Sequence, residues 1–304
     1  MLQSVYRPLA LLRTTPWNRL LGLAFFMLAV TFILGLAAQP GNLRAGLRPL
    51  ALYLALGLLA AKLMAGGYGG LGRMRTAQAR GIGRRGQLAA LLPPWLLMWT
   101  RTDRANLHAC LRWLARRPYP PRPPGVDYPF LDQSSYRTVI LCGLLSILVE
   151  LPLDALIASV MTPDPELRRR LQWVLAGLGL YSLMWMLGDR RQMLGGYQVL
   201  GAQALELQVG ARLAARIPLA AITRCELVSQ PVALWCAQHG VSVGDTVLAT
   251  PADSPNVVLG IDPAAALRLS SWNVERDAPS YLFLFADAPA ALAGAVNARI
   301  RQNT

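Results

Sequence analysis

Apolar residues come first in long runs and later in short alternating stretches. The run 20–38, LLGLAFFMLAVTFILGLAA, holds nineteen residues and no charge. As a helix it extends roughly 28 Å, close to the roughly 30 Å hydrocarbon core of a bilayer. A helix also satisfies its own backbone hydrogen bonds, as lipid requires. Gln39-Pro40-Gly41-Asn42 breaks the run. Residues 47–64 predict a second span, antiparallel to the first because the connection is short, with Lys62 able to snorkel to the head groups. Further spans are predicted at 139–160 and 171–187, around the turn Met161-Thr162-Pro163-Asp164-Pro165. Between the second and third spans, 88–99 is apolar but interrupted by Pro93-Pro94. It is too short to cross, and reads as an interfacial or re-entrant elbow. Residues 103–117 predict an amphipathic helix with Leu107, Leu111 and Leu114 on one face and Arg104, His108 and Arg112 on another. It lies in the membrane surface or packs on the C-terminal domain. Five prolines within 118–124 end it.

After Gly195-Gly196 the period changes to two. Leu205, Leu207 and Val209 alternate with Glu206 and Gln208, as in a half-buried strand. Gly210 marks a turn, a second strand reaches Ile217, and Pro218 breaks the ladder. Arg224, Cys225, Glu226 and Leu227 alternate in a third. Further strands are expected at 243–250, 256–261, 267–270 and 281–285. A last helix starts near Pro289 with Asp287 as its cap, and Leu292, Val296 and Ile300 form one apolar face. The fold class is therefore a four-helix transmembrane bundle (1–191) carrying a basic loop (66–137), followed by a small β-barrel or sandwich capped by one α-helix (196–304).

Composition agrees with a membrane protein. Of 304 residues, 54% are hydrophobic and 15% charged, and the net charge is +14. Lys62 is the only lysine. Such a balance could suit nucleic acid, but beside spans it favours anionic head groups. The Gly/Arg-rich start of the basic loop, GGYGGLGRMRTAQARGIGRRG, reads as a solvated segment drawn to such head groups. Arg84, Arg85, Arg112, Arg116 and Arg117 are its candidate contacts. Segments 1–19 and 66–137 together with Arg190-Arg191 hold seventeen arginines, against five at Arg44, Arg48, Arg168, Arg169 and Arg170. The positive-inside rule places both termini in the cytoplasm, in the inner membrane of a bacterium. The apolar run of the first span is too long for a signal peptide and predicts an uncleaved helix.

Candidate chemistry is sparse. Cys110, Cys142, Cys225 and Cys236 form no C-x-x-C pair, and His108 and His239 are too few for a metal centre. No Walker A, G-x-S-x-G, H-E-x-x-H or G-x-G-x-x-G motif occurs. No cofactor is predicted and no small-molecule substrate is identified. The sharpest polar feature is Glu150 with Asp154, four residues apart on the third span with Pro152 between them. A charge at mid-membrane costs on the order of 3 kcal/mol on insertion scales and usually faces a bundle interior. The pair is either a proton or cation site, or a polar lock: Glu150 protonated against a neighbouring helix, and Asp154 paired with Arg48 or the Arg168 cluster. Gly177 and Gly179 read as helix-packing positions.

The run LELQVGARLAARIPLAAITRCEL resembles the opening of bacterial pleckstrin-homology-like domains: strand, tight turn, strand, then I-P-L-x-x-I into a third strand. YLFLFADAPAALAGAVNARI is similar to their last strand, acidic turn and capping helix. SPNVVLGID, between them, resembles membrane-attached members of this group that lack a known function. The resemblance covers residues 196–302. It implies a partly open barrel with a terminal helix, and protein or membrane contact or self-association without catalysis. It carries over no phosphoinositide site, because only Arg212 and Arg216 occupy the region between the first strands. Together these readings predict a non-enzymatic membrane protein that presents a cytosolic domain to a protein partner or a second copy. The alternatives are a small ion-coupled transporter or channel-like protein using Glu150, disfavoured because the spans show no internal repeat, and an enzyme on a membrane substrate, disfavoured because no acid, base and nucleophile converge.

Overall fold

The computed structural model describes residues 83–162 and 164–303, and before them 70–76, 78, 79, 81 and scattered positions from 20 to 62. The predicted spans 20–38 and 47–64 lie largely outside the described residues, although Leu20, Phe26, Tyr53 and Lys62 within them are helical. The chain divides into two compact units, residues 1–97 and 98–304.

In the first unit, most described residues of the Gly/Arg-rich segment expected as a solvated loop are helical. Residues 70–76 are helix, Gly81 turns with φ +67°, and α1 (Arg84–Leu91) follows. Leucine, alanine and arginine are good helix formers, and two glycines supply what the hairpin needs. A Cβ on Gly70 would stand 2.5 Å from the Leu91 carbonyl oxygen, so only glycine lets the two segments meet. Arg73 donates across the hairpin to the Ala90 and Leu92 carbonyls, both at 3.2 Å. Pro93 closes α1, and α2 (Pro94–Leu114) begins at Pro94, where a missing N–H is harmless. The expected elbow at 88–99 is therefore a bend between two helices.

The second unit holds a helix pair and a β module. Among the described residues two helices, α3 (Tyr136–Met161) and α4 (Pro165–Leu194), are long and apolar enough to cross a membrane; they match the expected third and fourth spans. Asp164 caps α4 by accepting from the Glu166 N–H, with Pro165 at the first position. The pair packs through small residues: a Cβ on Gly143 would strike Met186, and one on Gly179 would strike Leu151, whereas Gly177 faces open space. Elsewhere the pair is bare. Leu148, Val149, Leu156, Trp173, Val174 and Leu178 are exposed, an apolar surface that water would penalise and lipid would not.

The β module begins at β2 (Tyr197–Leu200), directly after α4. One sheet runs β1-β2-β3-β4-β8-β9, formed by β1 (Val126–Asp127), β2, β3 (Ala204–Val209), β4 (Leu213–Pro218), β8 (Arg268–Ser271) and β9 (Val274–Asp277). The other runs β5-β7-β10-β6, formed by β5 (Ile222–Leu227), β7 (Val257–Ile261), β10 (Tyr281–Leu284) and β6 (Thr246–Ala249). All pairs are antiparallel except β10 with β6. Leu205, Leu207 and Val209 point into the core as their alternation requires, against Leu213, Leu259, Leu282 and Leu284. α6 (Pro289–Asn303) seals this core with Leu292 and Val296. The opposite side of β7 and β10 is covered by α5 (Val232–Gln238), whose Trp235 and Cys236 pack on Val258 and Phe283. That double burial explains why VVLGI is buried throughout rather than alternating. The strand expected over 243–250 is shortened to β6, because Ser242 caps a tight turn at Val243–Asp245.

Candidate functional site

The most organised polar region lies where α3 begins, α4 ends and the β module is attached. Asp189 on the last turns of α4 is buried. It accepts from the Tyr136 hydroxyl (2.7 Å) and from Arg212 Nη1 (3.1 Å), reached across the β3–β4 turn. The Arg212 guanidinium also lies 5.8 Å from the Tyr136 ring centroid and 5.5 Å from that of Trp272. Asp189 thus ties both apolar helices to the first sheet.

The N-terminal end of α3 and the residues leading into it are held by carboxylates from the β module. Helix starts leave N–H groups without intrahelical acceptors. Asp253, in the β6–β7 loop, accepts from the Ser135 N–H (3.1 Å), the Ser135 hydroxyl (2.6 Å) and the Ser134 hydroxyl. Burial raises the Asp253 pKa, but the two hydroxyls and the Ser135 N–H outweigh it and hold the carboxyl below its ordinary value. Asp287 accepts from the N–H groups of Asp132 and Gln133 at 2.9 and 3.0 Å, so its carboxylate serves the approach to α3 rather than the α6 start where a cap was expected.

α2 closes the region. Its buried face is Thr102, Asn106, Ala109 and Cys110, a different face from that of Leu107, Leu111 and Leu114. Gly188 decides this: a Cβ there would sit 1.9 Å from the Asn106 carbonyl oxygen, so α2 approaches α4 at backbone distance. Gln192 donates to Asn106 and Tyr181 to Asp103. Thr102 donates to the Trp272 carbonyl at 3.1 Å, gripping a β8–β9 turn in which Trp272 and Asn273 both have positive φ. Leu111 and Leu114 are consequently exposed, together with Trp113.

Beside the end of α4, the helix and the proline-rich strap enclose a recess of about 360 Å³, lined by His108, Arg112, Tyr119, Arg191, Gln192 and Tyr197 among others. Arg191 is fixed there: Nη2 donates to the Arg117 and Pro118 carbonyls, and the guanidinium stacks 4.7 Å from the Tyr119 centroid. A second recess of about 310 Å³ is mostly apolar and carries Arg137 and Arg190. Arg137 is already paired with Asp132 at 3.0 Å.

Of the predicted head-group contacts, Arg112 lines the first recess. Arg117 contributes its carbonyl to Arg191, and Arg116 turns the chain with φ +50°. Arg84 is exposed in the other unit, and the Arg85 side chain lies outside the described residues. Glu150 is exposed and accepts from Ser146 at 2.9 Å, one turn back on its own helix. Asp154 is half-buried in a groove with Gln172. The Arg168 cluster does not reach it: Arg169 and Arg170 pair with Glu166 instead. Sequence reasoning missed Asp189, Arg191, Arg212 and Asp253. The Asp-Arg-Arg run closing an apolar stretch was their one visible signal. Burial pushes the Cys225 thiol up to about 12 and raises Cys110 and Cys236, so these are packing residues. Among the described residues no group of three metal-ligating side chains occurs.

Compared with protein-family models, curated proteins and solved structures, the chain gives no match.

Proposed function

We propose that this chain is a non-enzymatic inner-membrane protein that holds a pleckstrin-homology-like β module against the cytoplasmic lipid surface for docking by a protein partner or a second copy. The observation that carries the reading is the junction. Asp189 joins Tyr136 and Arg212, while from the β side Asp253 holds the start of α3 and Asp287 the segment leading into it. A module merely tethered by a linker needs no such bonds. Its position relative to the bilayer is therefore set by the helices. Two sheets sealed by a terminal helix are consistent with the pleckstrin-homology-like reading. The excess of arginine on the module's side supports the cytoplasmic orientation.

The test is site-specific photocrosslinking of the full chain in native membranes, with the crosslinker at Leu227, Leu234 or Leu248, three exposed leucines of the module. A discrete protein adduct, or an adduct of twice the chain mass, recurring from neighbouring positions supports docking or self-association. Lipid adducts alone at all three positions contradict it.

A further inference from the structure

We infer that the recess beside the end of α4 is a phosphate-recognition site, filled in this setting by an anionic phospholipid head group; the lipid source rests on the membrane reading above. Its volume of about 360 Å³ lies near the lower end for small-ligand pockets, roughly 300–1,000 Å³. Its charge is one-sided. Arg112 and Arg191 line it and no carboxylate does. Neither arginine forms a salt bridge among the described residues. Two guanidinium groups lining one recess with no carboxylate leave positive charge there that an anion would offset.

One donor is also preorganised. Arg191 is held by backbone carbonyls through Nη2 and by the Tyr119 ring, so its position does not depend on a ligand. Guanidinium groups match phosphate oxygens with paired N–H donors. His108 stands one helical turn before Arg112 and faces the same recess. Tyr197 and Gln192 add neutral residues to the wall.

Position selects the lipid source. Arg191 follows the apolar part of α4 by one turn, the depth at which phosphates of a bilayer lie beyond the hydrocarbon. α2, which supplies His108 and Arg112, exposes Leu111, Trp113 and Leu114 on its free surface, as a helix lying in the interface does. A free phosphate would need none of this apolar surface.

The experiment offers phosphatidylglycerol, phosphatidylcholine or phosphate-free diacylglycerol to the full chain in neutral detergent. Bound lipid is counted by native mass spectrometry, with inorganic phosphate as competitor. We expect phosphatidylglycerol to be held best, diacylglycerol not to be held, and Arg112→Gln to weaken retention roughly tenfold. Arg276→Gln, on the exposed edge strand, leaves retention unchanged. Arg191 also supports the strap, so the exposed Arg112 is the primary variant. Binding of inorganic phosphate that depends on Arg112, without lipid, keeps phosphate recognition and overturns the lipid source. Equal retention by the wild type and Arg112→Gln, or equal retention of diacylglycerol, overturns the inference. Should the chain prove soluble without detergent, the membrane reading fails, and calorimetric titration of the full chain with inorganic phosphate still decides the site.

Discussion

Replacing Asp253 by alanine removes the acceptor that the β module supplies to the start of α3. The carboxylate receives the Ser135 N–H and two serine hydroxyls. Losing an N-cap acceptor costs about 1 kcal/mol. Losing the negative charge at a helix start adds roughly 0.3–1 kcal/mol. The two give about 2 kcal/mol for local opening, or roughly thirtyfold faster exchange of the amides at 134–138. Asp253→Asn keeps an acceptor without the charge and should lose about half as much. Hydrogen exchange of the full chain in detergent, read by mass spectrometry of peptides covering 130–145, measures this directly. The pH dependence has a fixed sign. The folded pKa of Asp253 lies below its ordinary 3.8, so its contribution is fully present above that value. It is lost as pH falls from there through the lowered folded pKa. The alanine variant lacks this acid sensitivity. Unchanged exchange at 134–138 in Asp253→Ala would refute the idea that the β module caps the helix.

Three other perturbations probe the same junction. Asp189→Asn leaves the largely buried Arg212 without its anion and should destabilise the unit by about 3 kcal/mol in denaturant titration; a loss near zero contradicts a stabilising ion pair. Gly188→Ala puts a methyl group 1.9 Å from the Asn106 carbonyl, so α2 must withdraw, and exchange across 102–114 should rise while the β module stays protected. Of the four thiols only Cys142 is exposed; because it lies on the apolar surface of α3, a charged maleimide should leave all four unmodified in intact membranes and modify them after denaturation.

The parts of the fold that were legible in the sequence are those where one physical demand dominates. Long apolar runs predict α3 and α4 because few other arrangements tolerate them. Strict alternation at Leu205, Leu207 and Val209 predicts β3 because one face is buried and the other is not. α5 was not legible: VALWCAQ is as apolar as a strand, and it is a helix because it must cover Val258 and Phe283. β9, VERD, has an exposed polar surface and no burial signal, and its turn uses Trp-Asn where Asn-Gly is the usual cue. The inward face of α2 was not legible for a related reason. Leucines mark an apolar face, but lipid accepts apolar surface as readily as a protein core does, and the glycine at 188 brings the small residues inward instead. The recess required Arg112, Tyr119 and Arg191 from three separate segments, and only Arg112 stood out by pattern.

The account rests on α3 and α4 being surrounded by hydrocarbon. A spin label at Leu148, 65% exposed and roughly 18 Å along α3 from its first residue, reports its surroundings through collisions with oxygen and with a water-soluble nickel chelate. In reconstituted bilayers oxygen should broaden its spectrum strongly and nickel hardly at all. Nickel accessibility at Leu148 equal to that of a label at exposed Leu248 in the β module would contradict the account.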